Sequence, residues 1–395
     1  MIELSLTEAR HRWSAAQGLD APVAESLEAT LERTGWVRTL GGLAGYLALS
    51  ARNPDATVDA VHEAVRSGAI GVRPAVRGCI YLVPRAHEAL ALRVAHLLSH
   101  KRIAREHDKL GLDDGELDAL GEAVLAAVAD EPLTTAQLRK QLPDDAIRSL
   151  GDAGKKMGVT STLPPALRRL EFAGRLQRVP LEHRLDHERY AWAPHDLDVG
   201  EASDADLGEL ARLYLRWAGP STRKELAAWT GLNQTQAKKA LAACGAEAAS
   251  LDGDEVFVGP DARQGAATGA AVWLPSMDNL YALRASAGPL VDPAYAEVEV
   301  SNFGRGGRTT LAAMSQPIER TIARDGEVVG MWAYDQANDE IVHTLAPHAR
   351  DLDVTAEEQR VRAVISVVGH GKVFSIDSDD KLTKRAERLR GPIWP

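Results

Sequence analysis

The chain has 395 residues, 45% of them hydrophobic, with 33 glycines and 19 prolines, which excludes collagenous, low-complexity and disordered classes and supplies material for two or three globular domains. Its 46 Lys and Arg against 56 Asp and Glu leave a net charge of −10, the wrong overall sign for indiscriminate attraction to phosphates, so any nucleic-acid contact has to be a local basic surface. No apolar run approaches the roughly 18 residues of a membrane span, and the start lacks the basic-then-apolar order of a secretory signal, so a cytoplasmic protein with no membrane partner is expected.

The first segment predicts three helices and a hairpin. Thr7 to Gln17 has Thr at the N-cap and apolar residues at helical spacing, Pro22 opens a run to Arg33, and Asp55 to Ser67 is a third. Ala69 to Arg73 and Gly78 to Val83 are short apolar runs across a Pro/Gly turn, as two strands are. Three helices closed by a ribbon is the outline of a winged-helix unit, and that outline recurs. Asp113 to Ala129, the segment from Glu131 to Leu138, and Leu163 to Phe172 precede strands at Leu176 to Val179 and around Ala191-Trp192. Asp204 to Trp217, the segment from Gly219 to Leu226, and Gln234 to Ala243 precede a hairpin from Ala248 to Val258 around Asp252-Gly253. The second helices of the two later units align Pro132 with Pro220, Thr134 with Thr222 and Leu138 with Leu226, a weak internal repeat of helix-start chemistry.

From about Ala270 the pattern turns to strands. Ala271 to Leu274, Ala296 to Val300, Thr309 to Ala313, Arg320 to Ala323, Val328 to Ala333 and Ile341 to Leu345 are separated by turn residues, including Asp325-Gly326. Glu357 to Val368 predicts a helix, and Lys381 to Arg390 is a basic C-terminal segment. The fold class expected is mainly α with small β. Winged-helix units occupy 1–110, 111–200 and 201–262, a small β domain 263–350, and a C-terminal helix and basic tail 351–395.

Cys79 and Cys244 lie far apart and outside any Cys/His cluster, which argues against a disulfide framework or structural zinc and predicts two small buried side chains. His96 and His100 can share a helix face but have no third ligand nearby, so neither a metal nor a cofactor is expected. Lys155, Lys156, Arg168, Arg169, Arg175 and Arg178 surround the presumed recognition helix and wing of the middle unit. They either track a phosphate backbone or form a solvated helix face. Ser301 to Thr310, with its glycines and with Arg305 and Arg308, reads as an anion-binding loop or as a flexible hairpin tip.

Several motifs coincide with one family. Gln17-Gly-Leu19, Gly35-Trp-Val37, Tyr46 to Arg52, Arg77 to Pro84, Tyr214 to Pro220, Trp229 to Leu232, Leu274 to Leu280 and Asp325 to Trp332 resemble the AlkZ/YcaQ-type winged-helix DNA glycosylases almost from end to end. The resemblance implies three tandem winged helices and a β-barrel-like domain cupping duplex DNA in a basic cleft. It further implies removal of cationic N-alkylated purines without a metal or organic cofactor. In that family a Gln-x-Gln, or a variant with Asp, positions water and steadies the oxocarbenium-like sugar.

Here the register places Arg38-Thr39-Leu40 at those positions. Arg38 has donors only and a fixed positive charge, and Leu40 offers neither acceptor nor charge. Cys79-Ile80-Tyr81 stands where the family usually has Thr-x-His, and Leu283 to Ala287 where it has Ser-His-x-Asp-Arg. Arg38 is therefore either an anion clamp in the cleft or a surface side chain paired with an acid such as Glu32. Tyr81 is a wing-packing residue or a cleft group. Asp278 and Asn279 are cleft residues or a turn.

The leading expectation is a duplex-DNA-binding protein of repair or self-resistance to genotoxic natural products, monomeric, with base excision by the family route in doubt. The alternatives are a repurposed cleft acting on an anionic or polar small molecule, and a non-catalytic regulatory module.

Overall fold

The computed structural model describes residues 2–22, 24–301, 307–315, 318–369 and 379–395. The chain is mixed α/β, and among the described residues its strands form four sheets. Helix starts follow capping chemistry. The first helix is Leu6–Ala16, capped by Ser5 rather than Thr7: Ser5 Oγ accepts from the Glu8 amide while the Glu8 carboxylate accepts from the Ser5 amide. Ser26 caps Leu27–Thr34, so that helix begins after Pro22 and not at it, and Thr57 caps Val58–Arg66.

Three further helices escape the periodicity argument. Ala44–Ser50 is buried from Ala44 through Leu49, so it has no polar face to reveal it. Glu88–Leu110 runs 23 residues and links the first two segments. Gly151–Met157 is a short helix of seven residues.

The largest sheet has six antiparallel strands in the order Val37–Arg38, Ile80–Pro84, Ile70–Pro74, Leu176–Pro180, Tyr190–Pro194 and Leu133–Thr134. The hairpins of the first two segments are thus one continuous sheet, joined at Val72 and Arg178. The N-terminal strand Ile2–Leu4 pairs in parallel with Glu247–Leu251, which forms a hairpin with Asp254–Val258. Asp252 and Gly253 turn that hairpin with φ of 49° and 89°.

Ala271–Leu274, Arg320–Arg324, Glu327–Asp335 and Glu340–Leu345 make a four-stranded antiparallel sheet. Alternate residues of its long strand face two different cores. Trp332 and Tyr334 pack with Val361, Val364 and Ile365 of the helix Thr355–Val368, while Met331 and Ala333 pack with Ala386 and Leu389 of the helix Asp379–Arg390. The basic tail is therefore a docked helix. Cys79 and Cys244 are reduced and half-buried, more exposed than expected. No helix of the described residues is long and apolar enough to cross a membrane.

Candidate functional site

The motif residues converge on one buried polar node. Arg52 and Asp278, both with fully buried side chains, form a two-toothed ion pair: Nη1 donates to Oδ2 at 2.9 Å and Nη2 to Oδ1 at 2.8 Å. Arg52 Nη2 also donates to Gln17 Oε1, whose amide nitrogen reaches the carbonyls of Thr34 and Trp217. Asp278 caps the next helical turn by accepting from the Leu280 amide at 2.9 Å. Its carboxylate is wholly engaged. Met277 beside it holds a left-handed φ of 58°, an uncommon conformation for a residue with a side chain.

Next to this node opens a cavity of about 190 Å³, lined by residues that include Arg38, Arg77, Tyr81, Trp229, Asn279 and Arg284. Its walls come from the first segment, the third, and the turn after Leu274. Arg38 and Tyr81 are register partners on neighbouring strands. Burial pushes the Tyr81 phenol well above its ordinary value, although the Arg38 and Arg77 charges pull it down. Asn279 donates from Nδ2 to the carbonyls of Trp36 at 3.1 Å and Thr34 at 3.4 Å, so its carbonyl oxygen is the part left for a ligand. Arg284 is 5% exposed. Its guanidinium lies 3.8 Å over the Trp13 ring and donates to the Ala218 carbonyl, while Nε and Nη1 have no acceptor.

A family model described as DNA glycosylase AlkZ-like matches residues 10–367. The chain belongs to the AlkZ-like DNA glycosylase family. A solved structure, the DNA glycosylase AlkZ of Streptomyces sahachiroi, shares the fold with a TM-score of 0.68 at 20% identity, over 94% of this chain and 98% of that one. No curated protein matches the chain.

Against that family background, the triplet side chains in this AlkZ-like chain diverge. Arg38 lines the cavity and makes no ion pair or hydrogen bond among the described residues; Glu32 is not its partner. Thr39 Oγ1 lies 3.4 Å from the Tyr190 hydroxyl. Leu40 is buried against Met277 and Ile318. Glu188, from the second segment, sits beside Gly41 and feels the Arg38 charge; burial raises its carboxyl above the usual range and Arg38 draws it back. Sequence reasoning missed Glu188, which no local spacing marks; Arg77, Trp229 and Arg284 stand within the motifs and departures noted above but were not singled out as cavity residues.

Six of the other basic residues are placed against acids. Lys155 faces Asp152, Arg168 Glu106, Arg169 Asp114 and Asp118, Arg175 Glu122, and Arg178 Glu171. Lys156 has no ion pair among the described residues. Arg308 pairs with Glu299 across the small sheet Glu299–Ser301 and Arg308–Thr310, and Arg305 lies outside the described residues. One Asp292, Glu327 and His348 trio brings its ligand atoms within 4.8 Å of one another. Arg10 already stands 3.3 Å from Glu327 there.

Proposed function

We propose that this AlkZ-like protein binds duplex DNA through a cleft in which tandem winged-helix units meet the β segment, in repair or in self-protection against DNA-alkylating natural products. The observation that carries the reading is the cavity lining: Arg38, Arg77 and Arg284 line it, and no Asp or Glu among the described residues does. The family match over 10–367 supports DNA as the anionic partner. Base excision through the triplet is not part of the proposal. A fixed cation at Arg38 opposes a developing sugar cation, and Leu40 faces an apolar cluster.

Titration of a labelled duplex at two ionic strengths tests this. Affinity should fall steeply with salt, and Arg77→Gln, at an exposed position, should weaken binding and flatten the log–log slope by about 1. A salt-independent response, or no binding at all, overturns it. Saturating protein should release no N7-alkylated purine from alkylated DNA; release would show that another acceptor, Glu188 first, does the work of the missing amides.

A second reading, a cleft adapted to an anionic small molecule, is favoured by one observation. Lys155, Arg168, Arg169, Arg175 and Arg178 of the middle segment face carboxylates, so their fields largely cancel over the roughly 8 Å Debye length at physiological salt. Ligand-induced thermal stabilisation without duplex binding would select it.

A further inference from the structure

We propose that the groove between the helices Glu88–Leu110 and Leu163–Phe172 is a second binding site, independent of the cleft, for a small organic acid with a flat aromatic body. The two helices run antiparallel. His96 meets the Phe172 ring edge-on with centroids 6.1 Å apart, and further along Glu106 accepts from Arg168 at 2.6 Å. The side chains that line the space include Ala104 and Ala173, too short to span it, and a groove of about 510 Å³ remains. That volume lies within the roughly 300–1,000 Å³ of small-molecule sites.

The walls select a flat apolar body. Ile103 and Pro165 offer aliphatic surface, and Phe172 with His96 forms an aromatic corner against which a further ring packs edge-to-face or offset. His96, His100 and His107 recur on one stripe of their helix, within about 40° of one another at 3.6 residues per turn. The lining is open to a ligand: His96, His100 and Ala104 are exposed, and Ile103, His107 and Phe172 are half-buried.

The polar groups select an acid. Every ionisable side chain on the lining is an imidazole or a guanidinium, and no Asp or Glu among the described residues joins them. Arg168 is fixed by Glu106 through Nη2, which leaves Nε and Nη1 without a hydrogen bond among the described residues. The carboxylate offsets its long-range field, but the remaining donors still act at contact. His100 Nδ1 donates to the Leu97 carbonyl at 2.6 Å, since a carbonyl only accepts, and its Nε2 has no partner among the described residues. Along the same helix Lys101, Arg102, Arg105 and Lys109 outnumber Glu106 and Asp108, a local positive excess on a chain of net charge −10. A carboxylate carried by a flat ring meets both demands.

Naphthoate is the probe and the neutral naphthylmethanol its control, each titrated into the full chain with the fluorescence anisotropy of the ring as the readout. Saturable binding of the acid is expected, about tenfold tighter than that of the alcohol. Arg168→Gln should weaken the acid by about that factor and leave the alcohol unchanged. Ala104→Trp, at an exposed position, fills the groove and should abolish binding of both. Arg38→Gln, in the cleft cavity, should change neither.

The absence of saturable naphthoate binding, or binding that survives Ala104→Trp, overturns the site. Equal affinity for the acid and the alcohol overturns the assignment of an acid to it. Loss of binding in Arg38→Gln but not in Ala104→Trp overturns it in favour of the cleft. Should Arg168→Gln fail to fold, the preference of the wild type for acid over alcohol and the loss of both in Ala104→Trp decide without it.

Discussion

Replacing Asp278 by Asn keeps the shape and the capping oxygen but removes the charge that Arg52 needs. Both side chains are fully buried, and stranding one partner of such a pair costs about 3–5 kcal/mol. Urea unfolding of Asp278→Asn should show a loss of that order; a loss below about 1 kcal/mol would mean that Gln17 and the Ala48 carbonyl suffice for Arg52.

His87 makes a second residue-scale prediction. Trp36 Nε1 donates to its Nδ1 at 3.2 Å, so the ring is neutral, and burial lowers its pKa to about 4 from 6.5. Between those pH values the unfolded chain carries the extra proton, and folding weakens as pH falls through the window. The contribution reaches roughly 3 kcal/mol at most. The stability advantage of wild type over His87→Asn should therefore shrink from pH 7 to pH 4, and an advantage constant with pH would refute the neutral ring.

Among the elements, the strand Ile70–Pro74 holds the joint between two hairpins, and Gly71 is what lets it close. Glu88 and Arg73 form a buried ion pair at 2.8 Å directly over it. A Cβ at Gly71 would lie 2.0 Å from Glu88 Oε1 and 2.8 Å from Arg73 Cζ. Gly71→Ala should cost at least about 1–3 kcal/mol, the usual range for overpacking, measured by chemical denaturation; a neutral effect would show that the ion pair can swing aside. Elements of this kind divide by how local their cause is. Leu163–Phe172, Gln234–Ala243 and Ala271–Leu274 have the bounds their patterns predict, because caps and apolar spacing are read within a few residues. Ala44–Ser50, buried all round, offers no stripe. Glu88–Leu110 buries Leu90, Ala91, Leu92, Val94 and Ala95 at one end and Glu106, paired with Arg168, at the other, so no single face persists along it.

At the scale of the whole molecule, family membership was legible from the order of scattered motifs, several of which meet in the Gln17–Arg52–Asp278 node. The cavity was legible only in part. Arg38, Tyr81 and Asn279 stood out as site candidates, whereas Trp229 and Arg284, though they belong to quoted motifs and departures, and Glu188, which belongs to none, gain a place at the site only when distant chain segments come together. Charge counting is one-dimensional: Arg168, Arg169, Arg175 and Arg178 look like a stripe along the sequence, and each stands against a carboxylate in the fold.

The parallel pairing of Ile2–Leu4 with Glu247–Leu251 bears on how the protein is made. A ribosome releases the first of these strands long before the second exists, and Arg52 waits almost as long for Asp278. Such distant closures must overcome loop entropy late and together. The nascent amino-terminal part thus stays unfinished until most of the polypeptide has emerged, a natural client for a chaperone and a poor candidate for expression as an isolated fragment.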